Sequence, residues 1–132
     1  GGMCHLDADM SRQGFKEFKT GADIVFLENI GNLVCPAEFD TGAHLNLVLL
    51  SVPEGDDKPL KYSLMFSSGD AVAITKLDTA KYFDFDVDKC KQYVAKLNPN
   101  TTFFTVSARS GEGVERLADW IYSKYAEWKV KK

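Results

Sequence analysis

Asp70-Ala71-Val72-Ala73-Ile74-Thr75-Lys76-Leu77-Asp78 decides the fold. Residues 70–75 run apolar without polar alternation, the mark of a strand covered on both faces, and then break into a charged turn. Three other stretches share that character: residues 23–27 (DIVFL), 45–52 (LNLVLLSV) and 101–106 (TTFFTV). Helical patterns lie between and after them. In residues 86–97, Val87, Cys90, Val94 and Leu97 recur at spacings of three and four, with Asp86 placed to cap the first turn. The last segment repeats the pattern with Val114, Leu117, Ile121 and Tyr125, and it ends on Lys129, Lys131 and Lys132, charges that suit a helix C-terminus. Pro59 is positioned to begin a shorter helix running through Phe66. Strands alternating with helices predict an α/β protein with a doubly wound, mostly parallel sheet, whose ligand sits at the carboxyl ends of the strands.

The 132 residues suffice for one domain, and no repeat, low-complexity tract or linker divides them. Sixteen Lys and Arg against nineteen Asp and Glu leave a net charge of -3, which argues against the basic face that a nucleic-acid partner requires. No apolar run approaches the roughly 18 to 20 residues that span a bilayer, so a soluble cytoplasmic protein without a membrane partner is expected. Three cysteines, Cys4, Cys35 and Cys90, make no paired disulfide framework and read as reduced thiols or metal ligands.

The strand ends carry the chemistry. Thr75-Lys76-Leu77-Asp78 differs by one residue from the N-K-x-D element with which GTPases select guanine. A carboxylate at Asp78 accepts from both N1–H and the 2-amino group of guanine, donors that adenine does not offer together, while the Lys76 stem lies along the base. Alone, K-x-D after a strand also describes a solvated turn. One βα unit later, Ser107-Ala108-Arg109 and Ser110-Gly111-Glu112-Gly113 stand where a second guanine-contacting loop belongs, with backbone N–H groups around Ala108 facing the base O6. Glu28-Asn29-Ile30-Gly31-Asn32 follows residues 23–27 as an acid-x-x-Gly switch follows its strand. There Glu28 would hold Mg²⁺ through water and the Gly31 N–H would sense a γ-phosphate. The competing reading is a glycine turn whose Glu caps a helix.

Nowhere does G-x-x-x-x-G-K-[ST] occur, the loop whose amides and lysine cradle phosphates. In a P-loop GTPase fold that loop follows a strand N-terminal to everything seen here. The expectation is therefore that residues 1–132 are the C-terminal portion of a single GTPase domain, with the phosphate-loop unit absent from this chain. Gly1-Gly2-Met3-Cys4-His5-Leu6-Asp7, which reads like the middle of a loop, agrees with it.

Cys4 and His5 are adjacent, and Cys35 follows the switch-like loop. Two thiolates and an imidazole can bind Ni²⁺ or Zn²⁺, and they are too soft to favour Mg²⁺ or Ca²⁺. Three ligands are an unfinished set, which water or the same residues of a second subunit would complete. The bland alternative makes both cysteines small apolar residues. Cys90 belongs to the apolar face of residues 86–97 and reads as core, His44 reads as structural, and residues 54–58 (EGDDK) read as a solvated acidic turn.

Cys4-His5-Leu6-Asp7-Ala8, residues 28–40 (ENIGNLVCPAEFD), residues 54–62 (EGDDKPLKY) and Thr75-Lys76-Leu77-Asp78 together resemble the hydrogenase and urease nickel-incorporation GTPases of the CobW/HypB/UreG type, over essentially the whole chain. The resemblance is closer on the hydrogenase side, because the urease accessory GTPase differs around its switch. It implies a GTP-hydrolysing metallochaperone that dimerises with nucleotide and passes nickel toward the large subunit of [NiFe] hydrogenase, with the small nickel-binding partner HypA. It also implies that Cys4, His5 and Cys35 bind Ni²⁺ or Zn²⁺ at the subunit interface, that Glu28 lies near Mg²⁺, and that Lys76, Asp78, Ser107 and Ala108 recognise the guanine of GTP or GDP. Thr75 departs from the family pattern by replacing the usual Asn, which removes a bridging amide. Without a phosphate loop, the chain by itself is expected neither to hold a triphosphate firmly nor to hydrolyse it. Two other readings stay open: a nickel- or zinc-binding dimerisation module without hydrolysis, and a structural zinc site on which folding depends.

Overall fold

Three short strands, β1 (Leu47–Ser51), β2 (Ala71–Thr75) and β3 (Thr102–Thr105), hydrogen-bond in the order β1-β2-β3, and both pairings are parallel. Leu47 pairs with Ala71 and Ser51 with Thr75, while Ala71 pairs with Thr102 and Ile74 with Thr105. The computed structural model describes residues 8–17, 21–29 and 40–131. Ahead of the sheet stands α1 (Ala8–Glu17). Parallel neighbours need crossovers, and these are helical: α2 (Lys58–Lys61) and α3 (Ser63–Ser68) join β1 to β2, and α4 (Val87–Leu97) joins β2 to β3. The chain then closes on α5 (Val114–Val130).

Successive strand residues point to opposite faces, so each strand feeds two cores. Val48, Leu50, Val52, Val72 and Ile74 pack with Phe66 of α3 and with Cys90 and Val94 of α4. On the other face Ala71, Ala73, Phe104 and Val106 meet Leu117 and Trp120 of α5. The alanines leave room for the indole, which meets the Phe104 ring edge-on at a centroid separation of 5.7 Å. With helices on both faces, the sheet is doubly wound as its continuous apolar strands require. Among the described residues no helix is long and apolar enough to cross a membrane.

Local chemistry sets the boundaries. Asp86 caps α4 with its carboxylate, which accepts from the Lys89 N–H at 3.1 Å, and Cys90 and Val94 are buried along the face that the spacing predicts. β1 stops at Ser51, two residues inside the expected run at its start and one at its end, because Pro53 has no N–H for the ladder and Val52–Glu54 tightens into a 3-10 turn. The helix expected from Pro59 through Phe66 forms as two pieces. Tyr62 leaves the helical region (φ -126°, ψ 55°) as its ring packs on the core beside β1 and β2, which separates α2 from α3.

Residues 23–27, expected as the first strand, join no ladder. A strand exists only through a hydrogen-bonding neighbour, none of the described strands pairs with this stretch, and Phe26 is 76% exposed. On α5, Leu117, Ile121 and Tyr125 are half-buried as the stripe predicts, whereas Val114 in the first turn is exposed.

Candidate guanine-binding site

The carboxyl ends of β2 and β3 turn outward side by side. After Thr75, half-buried in the last rung of the ladder, Lys76 adopts the left-handed conformation (φ 58°, ψ 38°), and a 3-10 turn over Leu77–Tyr82 follows. The Lys76 carbonyl accepts from the Thr79 N–H at 2.9 Å and from the Thr79 hydroxyl at 2.6 Å, which fixes a backbone shape that β-carbon sterics disfavour. The Leu77 N–H donates to the Val106 carbonyl at 3.1 Å, so the two loops are joined at their roots.

From β3 the chain runs into Ser107, fully buried at 0% exposure. Its hydroxyl donates to Asp78 Oδ1 at 2.8 Å and its oxygen accepts from the Ser110 N–H at 3.2 Å. Its backbone N–H donates to the Glu112 carbonyl at 2.9 Å, and its carbonyl accepts from the Gly111 N–H at 2.8 Å. Every polar group of Ser107 is thus engaged, as burial demands. Gly113 then lets α5 begin: its φ is +74°, and a β-carbon there would stand 2.0 Å from the Thr105 carbonyl oxygen.

The arrangement presents a half-buried carboxylate with one oxygen fixed from below. Among the described residues no group donates to Asp78 Oδ2, and the Ala108 and Arg109 N–H groups have no acceptor. A carboxylate oxygen and exposed backbone donors on two adjoining loops offer acceptors to N1–H and an exocyclic amine and donors to a ring carbonyl, which is the edge pattern of guanine. Thr75, Lys76, Asp78, Ser107, Ala108 and Arg109 all stand at this end of the sheet, with the Lys76 and Arg109 side chains exposed. Sequence reasoning missed the joint between Leu77 and Val106 and the seat that Ser110 and Glu112 give to Ser107. Glycines at 111 and 113 were the available signal for a tightly wound loop.

Glu28 lies exposed at the end of residues 21–29. Gly31, Cys4, His5 and Cys35 lie outside the described residues. Among the described residues no cluster of three or more His, Cys, Asp or Glu side chains could hold a metal ion. Cys90 is core as expected: burial first, with the Asp56 charge behind it, pushes its thiol from an ordinary 9.0 up to about 12, so it stays protonated. His44 is exposed and meets Trp128 edge-on at a centroid separation of 5.0 Å.

The acidic turn is only partly the solvated loop its composition suggests. Asp57 pairs with Lys61 at 3.2 Å, and that hydrogen-bonded ammonium holds its carboxyl below the usual range. Glu54, however, accepts from the N–H and the hydroxyl of Ser51, both at 2.9 Å, and Asp56 accepts from the Asp86 N–H at 2.8 Å. The last bond ties this loop to the first turn of α4.

Residues 1–105 match the CobW/HypB/UreG nucleotide-binding domain family. The chain is 42% identical over 132 residues to the hydrogenase/urease maturation factor HypB of Helicobacter hepaticus, covering 96% of this chain and 54% of that protein. It is 47% identical over 120 residues to the hydrogenase maturation factor HypB of Azotobacter chroococcum, covering 89% of this chain and 39% of that protein. Among solved structures it superposes on HypB from Helicobacter pylori in complex with nickel with a TM-score of 0.89 at 41% identity, covering 94% of this chain and 60% of that one. The hydrogenase maturation factor HypB from Archaeoglobus fulgidus gives 0.88 at 34% identity, over 95% and 61% of the two chains. The chain thus spans about half the length, or less, of these curated relatives.

Proposed function

The chain belongs to the CobW/HypB/UreG family of nucleotide-binding domains, and on that premise we propose that it is a portion of a GTP-dependent nickel chaperone for [NiFe] hydrogenase maturation. The observation that carries the reading is the 2.8 Å bond from buried Ser107 to Asp78, which holds one carboxylate oxygen and leaves the other without a donor among the described residues. Asp78 takes the two guanine donors, the Ala108 N–H takes O6, and the Lys76 stem covers the ring. Glu28 would hold Mg²⁺ through water, and the ion would supply neutralising charge to the phosphates. Cys4, His5 and Cys35 take up nickel as cargo, and zinc competes for the same donors. Residue Gly31 couples the two events, because a metal ligand four residues beyond a γ-phosphate sensor moves with it. A homodimer, an accessory protein of the HypA kind and the hydrogenase large subunit are the partners this reading supplies.

The base-reading step is tested with guanosine, xanthosine and adenosine by saturation-transfer NMR. The native chain should favour guanosine. Asp78→Asn should weaken guanosine by at least about tenfold, the value of charged hydrogen bonds lost, and should turn the preference to xanthosine. A variant that still favours guanosine would refute the assignment. The cargo step is tested by titrating nickel into the reduced chain and following thiolate-to-nickel charge-transfer absorbance. Saturation in the native chain and its loss in a still-folded Cys35→Ala variant are expected, and equal titration of the two proteins would remove Cys35 from the site.

A further inference from the structure

Among the described residues, Lys76 is the only one other than glycine with a positive φ, at 58°. A side chain held there is strained, and such a conformation persists where its surroundings over-determine it. Four bonds fix residues 76–78. Two come from the neighbouring loop: the Val106 carbonyl accepts from the Leu77 N–H at 3.1 Å, and the Ser107 hydroxyl donates to Asp78 Oδ1 at 2.8 Å. The other two come from half-buried Thr79, whose N–H and hydroxyl both donate to the Lys76 carbonyl, at 2.9 and 2.6 Å. Thr75, which stands in the place of the usual Asn, contributes no side-chain hydrogen bond among the described residues. Ser67, Ser68 and Ser123 also bond a carbonyl three or four residues back, but within right-handed helices. Thr79 alone directs its hydroxyl to a left-handed residue.

We infer that Thr79 is a positioning residue for base selection: its hydroxyl holds the Lys76 turn, and with it the angle at which Lys76 and Asp78 meet the nucleobase, a tether that Thr75 does not supply. This deepens the base-reading part of the proposed function and rests on it. A carboxylate that accepts from two donors of one ring must match both directions at once, whereas a single bond tolerates more play. When the turn opens, Ser107 still holds Oδ1, but the backbone that carries Asp78 loosens. A ligand offering both N1–H and the 2-amino group then loses more than one offering N1–H alone.

The test uses Thr79→Val, which keeps the branched shape and removes the hydroxyl, and Thr79→Ser, which keeps the hydroxyl. Guanosine is compared by saturation-transfer NMR with inosine, which lacks the 2-amino group. Thr79→Val should bind guanosine about fivefold more weakly, the value of one hydrogen bond, and inosine no more than about twofold more weakly. Amide exchange at residue 79 should become at least about threefold faster, with β1, β2 and β3 unchanged. Thr79→Ser should restore both the preference and the exchange rate. Equal loss of the two nucleosides in Thr79→Val would make the hydroxyl structural only and overturn the inference. Unchanged exchange in Thr79→Val would overturn it as well, and so would a Thr79→Ser variant as impaired as Thr79→Val. If the native chain does not favour guanosine over inosine, the base-reading assignment fails and takes this role of Thr79 with it, and the exchange rates then show separately whether the hydroxyl holds the turn.

Discussion

For Asp78 to read a base as proposed, one of its oxygens must be held and the other left open, and a buried serine hydroxyl holds Oδ1. The neighbouring glycine is equally specific. Gly113→Ala would force a β-carbon into the Thr105 carbonyl at a positive φ, so urea unfolding should show a loss of at least about 2 kcal/mol. Cys90 supplies a titration. Its folded thiol ionises near 12 against an ordinary 9.0, so below pH 9 both states keep the proton and the full stability is present. As pH rises from 9 toward 12 the unfolded chain loses its proton first, and stability falls. Urea midpoints measured across that window should decline in the native chain, and less so in Cys90→Ala. Asp78 and Lys76 could be nominated from the sequence because their motif is a short-range pattern. The pin between Ser107 and Asp78 was not, because it joins residues 29 apart through a sheet whose register no local pattern states.

Among the elements, α4 was legible almost to the residue, since a capping Asp and a 3.6-residue period are both local. Asp86→Ala should cost about 1 kcal/mol from the cap, measured as a shift in urea midpoint, with guanosine binding retained. Asp56 should be felt in the same turn, because it satisfies the Asp86 N–H that the cap leaves open. Residues 23–27 show the opposite case. Their β-branched and aromatic composition predicts a strand, but strand formation is decided by a neighbour that composition does not contain. The break at Tyr62 was invisible for a related reason: an aromatic ring that finds the core overrides the helix that Pro59 starts.

At the scale of the molecule, four continuously apolar runs were enough to predict a parallel sheet covered on both faces, and three of them form it. What they did not predict was unequal cover. Phe66 of α3 and Cys90 and Val94 of α4 are sealed against one face of the sheet, whereas no residue of α5 is fully buried on the opposite face. The two base-facing loops spring from β2 and β3, which are adjacent and held in register through Ile74 and Thr105, with the Val106 N–H bonded back to the Ile74 carbonyl at 2.8 Å. A reader mounted on such a frame has little to rearrange when a nucleobase arrives. Purines of either kind should then meet it at similar rates and differ in how long they stay, which places selectivity in residence time and leaves the encounter itself indifferent.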